Sequence, residues 1–294
     1  MKLVIYGQRL KEDNVELVKY FFAQLAERKL EVGIYVEYVD KLEGIIDINR
    51  LGYQVINNHE ELVAYAPNMI ITLGGDGTIL NAVTLVRGSQ IPILGINLGR
   101  LGFLANVEKD QISQALDDVT NGRYKCESRT LLKLDCEIPL FGEVPFALND
   151  FTIHKRDTSS MITIHTYVDG NYLNSYWADG IIVSTPTGST GYSMSCGGPI
   201  VFPGSGNLVI TPVAPHNLNV RPLVISDSSI ISFEIEGRGE NFLCTLDSRY
   251  EAISQEHRLF IKKCDFDVQL AIIEGIDFME TIRKKLMWGI DKRN

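Results

Sequence analysis

The sequence predicts an α/β amino-terminal domain with a parallel sheet, then a β-rich domain, with a carboxyl-terminal segment that returns to the first domain. Over the first hundred residues, apolar runs of strand length alternate with apolar residues at helical spacing, which is typical of parallel βαβ units. From about Arg129 the pattern changes to strands alone, and helical spacing returns at Gly275–Leu286. The chain of 294 residues is long enough for two domains, which we place at residues 1–104 with about 267–294 and at residues 105–266.

The first domain is expected to alternate strands and helices around one sheet. Apolar runs predict four strands, at Lys2–Tyr6, Val32–Val36, Met69–Leu73 and Ile91–Ile96. Apolar residues at helical spacing predict helices at Val15–Ala26 and Ile79–Val86. In parallel sheets, ligands bind beyond the carboxyl ends of the strands, and the loop Gly74–Thr78 follows the third of these strands.

The second domain is expected to consist of strands joined by turns. Asp169 and Gly170 separate two apolar runs and predict a hairpin turn. Runs rich in β-branched and aromatic residues predict strands at Leu131–Ile138, Phe146–His154, Met161–Val168, Gly180–Val183, Leu223–Ile225, Ile230–Ile235 and Phe242–Leu246.

Composition restricts the partners and the compartment. Apolar residues make up 45% of the chain and charged residues 22%, and the net charge of -9 disfavours nucleic acid or an anionic membrane as a partner. The five cysteines are scattered without a Cys-x-x-Cys pair, a pattern that favours reduced thiols. No stretch reaches the ~20 apolar residues of a membrane span. We therefore expect a cytoplasmic protein that binds neither nucleic acid nor a membrane.

A glycine-rich tract follows the strand predicted at Met69–Leu73. It consists of Gly74, Gly75, Asp76, Gly77 and Thr78. A strand, a glycine loop and a helix together present backbone N–H groups to a phosphate. Phosphates repel the carboxylate of Asp76, so we expect it to bind Mg²⁺ or to accept a proton from an attacking hydroxyl. The alternative is a tight turn in which Asp76 caps the helix.

Polar residues in the second half mark a further candidate site. Asn149 and Asp150 lie in a predicted strand, where such residues are disfavoured; they suit ribose hydroxyls or a base edge, or else they mark a bulge or strand end. The tract Thr185–Tyr192 carries four hydroxyls within six residues, which can bind a base or phosphate or cap a helix. For Asp247–Arg249, a turn is favoured over a site contact.

The motifs, taken in order, resemble those of bacterial NAD kinases over nearly the whole chain. The Gly-Gly-Asp-Gly-Thr tract also occurs in diacylglycerol and sphingosine kinases and, loosely, in phosphofructokinases. The Asn-Asp pair and the Thr-Pro-Thr-Gly-Ser-Thr tract are much more specific to NAD kinases. The matching segments are Gly74–Thr78, Gly95–Leu104, Asn149-Asp150, Asp179-Gly180, Thr185–Tyr192 and Pro215–Leu223.

The resemblance implies transfer of the ATP γ-phosphoryl group to the 2′-hydroxyl of the adenosine ribose of NAD, giving NADP. It implies that Asp76 activates or orients this hydroxyl and that the glycine loop contacts phosphates. It further implies that Asn149 and Asp150 hold the adenosine and that Asp179 lies towards the nicotinamide. The implied adenine pocket is lined by Thr187, Thr190, Tyr192 and Ser195. A divalent cation, usually Mg²⁺, and homodimers or homotetramers that complete the site across subunits are also implied.

Two positions depart from the family pattern, and two other functions remain open. Gly191 stands where alanine is common, and Asp247-Ser248-Arg249 stands where Asp-Gly-Gln is common. We hypothesise that Arg249 neutralises a phosphate, and unaltered kinetics of Arg249→Ala would rule this out.

A lipid kinase of the diacylglycerol type should lack the Asn-Asp pair and the hydroxyl-rich tract. A non-catalytic NADP sensor is disfavoured by the intact Asp76.

Overall fold

The chain divides into two compact units in a computed structural model that describes residues 1–48, 52–156, 160–237, 242–275 and 277–289. Unit 1 comprises Met1–Ser128 with Val268–Asn294, and unit 2 comprises Arg129–Asp267. The first is an α/β unit with a parallel sheet and the second is β-rich, which confirms the predicted fold class. The domain boundaries at residues 104 and about 267 stay predictions, and the predicted segment 267–294 includes residues outside the described ranges.

Helices and strands are numbered in chain order. Unit 1 contains β1 (Lys2–Tyr6), α1 (Val15–Glu27), β2 (Glu31–Tyr35), α2 (Val36–Leu42), β3 (Gln54–Ile56), α3 (His59–Tyr65), β4 (Met69–Gly74), α4 (Asp76–Val86), β5 (Ile93–Asn97), α5 (Ile112–Thr120) and α7 (Phe278–Leu286). Unit 2 contains β7 (Phe146–Ala147), β8 (Asp150–Lys155), β9 (Ile162–Val168), β10 (Asn171–Ala178), β11 (Gly180–Ser184), α6 (Tyr192–Ser195), β12 (Asn207–Val213), β13 (Leu223–Ser226), β14 (Ile231–Glu236), β15 (Phe242–Leu246) and β16 (Arg249–Ile253). The unit boundaries fall within β6 (Tyr124–Cys136) and β17 (Leu259–Ile273).

The sheet of unit 1 is parallel, with strand order β3-β2-β1-β4-β5 followed by the end of β17. The strand order reverses between β1 and β4, which is the place where open α/β sheets bind ligands. The register pairs Gly74 at the end of β4 with Asn97 at the end of β5. The segments that follow these two strands therefore leave the same edge of the sheet side by side.

Unit 2 is built on two antiparallel sheets. One has the order β13-β12-β11-β8-β15-β16, and the other pairs β10, β9, β14 and the first part of β17. Buried side chains from both sheets form a single apolar core, in which the rings of Phe151 and Phe233 stack with centroids 5.7 Å apart. Burial of such aromatic and aliphatic side chains is the main stabilising contribution in a unit of this size.

Most predicted elements are confirmed, with small shifts at their ends, and two predictions are wrong in detail. Val36 was expected to end a strand but begins α2, because Tyr38 and Leu42 are buried at helical spacing. The strand predicted at Phe146–His154 is interrupted between β7 and β8. The carboxyl-terminal helix begins at Phe278, and residue 276 of the predicted helix lies outside the described residues.

The predicted hairpin at Asp169 and Gly170 is confirmed. It joins β9 to β10, and both residues have positive φ, 52° and 76°. None of the five cysteines, all of which are described, forms a disulfide. Within the described ranges, no helix combines the length and apolarity that are needed to cross a membrane.

Candidate functional site

The glycine loop of unit 1 lies between β4 and α4. A Cβ atom on Gly74 would lie 2.1 Å from Oγ1 of Thr78, so packing explains this glycine. A Cβ atom on Gly75 or Gly77 would meet no described atom within 4 Å. Packing therefore does not account for these two exposed glycines, whereas close approach of a ligand to the backbone does. The first N–H groups of α4 have no i−4 partner within the helix, and the N–H of Thr78 donates to the carbonyl oxygen of Gly75 at 2.9 Å.

Asp76 is the first residue of α4, and its side chain is bound by a second segment of unit 1. Its Oδ2 accepts the backbone N–H of Phe103 at 2.9 Å, and its Oδ1 accepts those of Leu104 and Ala105 at 3.0 and 2.9 Å. The carboxylate thus does not cap its own helix, which was the structural alternative. A Cβ atom on Gly102 would lie 1.9 Å from Oδ1, so Gly102 also allows this close contact.

Asn97 at the end of β5 supports the segment that binds Asp76. The side chain of Asn97 is buried, and its Oδ1 accepts the N–H of Gly99 at 2.7 Å. Its amide nitrogen donates to the carbonyl oxygens of Arg100 and Ala105. The orientation of the Asp76 carboxylate is therefore fixed by a turn that is itself bound to the sheet.

Asp150 begins β8 in unit 2 and Asn149 directly precedes it, and both lie next to the carboxylate of Asp247. That carboxylate accepts the backbone N–H groups of Leu148, Asn149 and Asp150 at 2.9, 2.8 and 3.2 Å. Asp247 lies with Ser248 in the two-residue turn between β15 and β16, with φ of +55°. The favoured turn is thus confirmed, and the carboxylate of Asp247 fixes the backbone of the Asn-Asp pair where the predicted strand is interrupted.

Burial dominates the electrostatics of this pair of carboxylates. Burial of Asp150 and the nearby charge of Asp247 raise the pKa of Asp150 to about 7. The pKa of Asp247 is also raised by burial, against the opposing effect of its three backbone hydrogen bonds.

The Oδ1 atom of Asn149 is buried and has no hydrogen-bond partner among the described residues. A buried acceptor without a hydrogen bond lowers the free energy of unfolding, and a ligand that donates to it removes this penalty.

The hydroxyl-rich tract packs directly on the Asn-Asp pair. Thr185 donates its N–H to the carbonyl oxygen of Asn149 at 2.9 Å, and its hydroxyl donates to that of Leu148 at 2.6 Å. A Cβ atom on Gly188 would lie 2.0 Å from the Asn149 carbonyl oxygen. A Cβ atom on Gly191 would lie 3.8 Å from Oδ2 of Asp150. The structure therefore brings the two predicted motifs of unit 2 together.

The other predicted residues of the tract differ in exposure. Thr187 is buried, and the Thr190 hydroxyl donates to its carbonyl oxygen at 3.2 Å. Tyr192 is exposed, and its ring stacks on that of His154 with centroids 5.5 Å apart. Ser195 is exposed at the end of α6. Tyr192 is thus not a core residue, and one of its ring faces packs on His154.

Sequence reasoning missed the partner of Asp179 and the environment of Arg249. Lys155 forms an ion pair with Asp179 at 2.5 Å, and its N–H binds the Asp179 carbonyl oxygen. Arg249 donates to the carbonyl oxygens of Val144 and Phe146, contacts that favour a structural role over the hypothesised phosphate contact. Neither partner has a local sequence signal, because each is distant along the chain.

Gly188 and Gly191 offer a matched pair of substitutions. We expect Gly188→Ala to lower the free energy of unfolding by about 3 kcal/mol, because the methyl group meets backbone that cannot rotate away. Gly191→Ala should change it by less than about 1 kcal/mol, because its nearest contact, the Gly188 carbonyl oxygen at 3.2 Å, needs to shift by only a few tenths of an ångström. Urea unfolding at pH 7 measures both. Equal losses would contradict the close contact between Gly188 and the backbone of Asn149.

The α/β unit with its aspartate-containing glycine loop and the β-rich unit define the class of two-domain kinases. Family models match both parts: the ATP-NAD kinase N-terminal domain matches residues 9–124, and the ATP-NAD kinase C-terminal domain matches residues 148–272. The chain belongs to the ATP-NAD kinase family.

Relatives and solved structures agree with this assignment. The chain is 46% identical to the NAD kinase of Cytophaga hutchinsonii over 294 residues and 48% identical to that of Flavobacterium psychrophilum over 299, with all of each chain covered. It superimposes on yeast NADH kinase complexed with NADH (TM-score 0.87, 98% of this chain and 88% of that chain). An Archaeoglobus fulgidus NAD kinase in complex with ATP gives a TM-score of 0.71, with 98% of both chains covered. Both structures are 24% identical to this chain and show the fold.

Proposed function

We propose that this protein is an ATP-dependent NAD kinase, which transfers the γ-phosphoryl group of ATP to the 2′-hydroxyl of the adenosine ribose of NAD and forms NADP. The observation that carries the proposal is the carboxylate of Asp76, held by three backbone N–H groups next to an open glycine loop. Membership of the ATP-NAD kinase family supports the choice of substrates. Both alternatives, a lipid kinase and an NADP sensor, lack comparable support.

The two loops have different roles in this proposal. Phosphoryl transfer depends on alignment and on neutralisation of charge. Asp76 orients the 2′-hydroxyl and accepts its proton, while the amides around Gly75 and Gly77 bind phosphate oxygens. In unit 2, Asn149 and Asp150 bind the adenosine, and the unpartnered Oδ1 of Asn149 accepts a hydrogen bond from it. Asp179 lies towards the nicotinamide, and the adenine pocket is lined by Thr187, Thr190, Gly191, Tyr192 and Ser195.

The described residues suit a magnesium ion that is carried by ATP. No cluster of three or more His, Cys, Asp or Glu side chains that could hold a metal occurs in the described part of the chain. Both carboxylate oxygens of Asp76 already accept N–H groups. Mg²⁺ commonly keeps its waters and binds one or two carboxylates together with substrate phosphates. Bound to ATP, the ion would neutralise phosphate charge, and Asp76 would supply the carboxylate of the glycine loop to hold it.

A coupled assay tests the function. Purified protein is incubated with ATP, Mg²⁺ and NAD, and the product is detected with an NADP-specific dehydrogenase. We expect NADP to form only when all three are present. If the protein binds added NADP but produces none from NAD, the result would favour the sensor. Phosphorylation of diacylglycerol vesicles in place of NAD would favour the lipid kinase.

We also propose that the protein is a cytoplasmic homodimer or homotetramer. Light scattering measures the mass of the assembly.

A further inference from the structure

The carboxyl-terminal helix α7 contacts the segment that binds Asp76. Lys285, in the last turn of α7, donates a hydrogen bond to the carbonyl oxygen of Leu101. The same Nζ lies 5.6 Å from the centroid of the Phe103 ring. Because the N–H of Phe103 binds Oδ2 of Asp76, one ammonium group contacts two residues of the turn that fixes this carboxylate.

Lys285 is presented by a well-anchored helix. The side chain of Asp277 caps α7 by accepting the N–H of Glu280 at 2.6 Å. Thr281 and Ile282 are buried, and the Thr281 hydroxyl donates to the carbonyl oxygen of Asp277. The helix backbone is therefore fixed in unit 1, although the Lys285 side chain itself is exposed.

The turn is thus supported at two points that come from different parts of the sequence. Asn97 binds Gly99 and Arg100 from the end of β5, and Lys285 binds Leu101 and Phe103 from α7. Loss of one support leaves the turn, and with it the carboxylate, freer to move. A displacement of about 1 Å at a reacting group can reduce a rate 100-fold.

We propose that Lys285 is a positioning residue for phosphoryl transfer, which keeps the Asp76 carboxylate in place by holding Leu101 and Phe103. The inference rests on the proposed NAD kinase function and assigns Lys285 no contact with a substrate. The neighbouring Lys284 is a matched control, because it pairs with the side chains of Glu280 at 3.0 Å and Glu108 at 4.0 Å.

The kinetic test compares Lys285→Met, Lys285→Arg and Lys284→Met with wild type. We expect Lys285→Met to lower kcat about 10-fold, with unchanged KM values for ATP and NAD. Lys285→Arg should recover most of kcat, because a guanidinium also donates and stacks on a ring. Lys284→Met should match wild type. A higher KM for ATP with normal kcat, or an equal loss in Lys284→Met, would overturn the proposal.

Hydrogen exchange followed by mass spectrometry provides a readout that does not depend on activity. Peptides covering residues 99–106 should exchange faster in Lys285→Met than in wild type or Lys284→Met, with peptides from unit 2 unchanged. Unchanged exchange in this segment would contradict the link to Asp76. If wild type forms no NADP, the proposed function fails, while the exchange result still decides whether Lys285 holds the turn.

Discussion

Asp76→Asn is expected to lower kcat for NADP formation about 1,000-fold while NAD binding is retained. The substitution removes the group that accepts the proton of the 2′-hydroxyl in the proposed reaction. The residues proposed to bind NAD all lie in the compact unit Arg129–Asp267, whereas Asp76 lies in unit 1. Initial rates in the coupled assay measure kcat, and calorimetric titration with NAD measures binding.

The asparagine also changes the hydrogen bonds that hold position 76. Its amide nitrogen cannot accept an N–H, so one of the bonds from Phe103, Leu104 or Ala105 is lost. Thermal unfolding of Asp76→Asn therefore accompanies the kinetics, to separate loss of catalysis from loss of fold. The control is Asp110→Asn, an exposed aspartate elsewhere in unit 1, which should behave as wild type. Normal turnover in Asp76→Asn would exclude Asp76 from the mechanism.

The sequence predicted the glycine loop well because its signal is local. A buried strand, adjacent glycines and a helix lie within Met69–Val86, and all three are observed. The groups that orient Asp76 carry no such signal, because they are backbone amides 27–29 residues away. The segment Gly95–Leu104 was recognised only as part of a family pattern. Its role follows from the register that places the end of β5 beside the end of β4.

Other elements escaped prediction for reasons of length and charge. Helix α3 has seven residues, of which Leu62 and Tyr65 are buried, so its helical period is too short to recognise. In β17, lysines and aspartates interrupt the apolar alternation of a 15-residue strand. The break after Ala147 depends on Asp247, which binds three consecutive N–H groups from about a hundred residues away.

Asp150→Asn is expected to stabilise the ligand-free protein at pH 8 by about 2 kcal/mol and to have little effect at pH 5. The pKa of Asp150 is raised from 3.8 to about 7 by burial and by Asp247. Between these values the folded chain holds a proton that the unfolded chain has released. The contribution of Asp150 to stability therefore falls as pH rises from about 4 to 7.

The size of the effect follows from the same shift. The change in the pKa of Asp150 from 3.8 to about 7 corresponds to about 4 kcal/mol in the free energy of unfolding. The asparagine recovers only part of this, because its buried amide also loses hydration when the chain folds. Urea unfolding of wild type and Asp150→Asn at pH 5, 6, 7 and 8 gives the difference at each pH. Weaker NAD binding by Asp150→Asn would show that the carboxylate of Asp150 contributes to ligand binding, although its charge lowers the free energy of unfolding.

Asp247→Asn is the matched control, because burial raises the pKa of this carboxyl as well, but its carboxylate accepts three N–H groups. An asparagine there places an amide nitrogen against these donors, so we expect a loss of stability at pH 5 and at pH 8. We expect Asp150→Asn to raise the free energy of unfolding at pH 8 and Asp247→Asn to lower it. This result would show that the hydrogen bonds of each carboxylate, and not its burial alone, decide its contribution to stability. A difference for Asp150→Asn that stays constant from pH 5 to pH 8 would contradict the raised pKa.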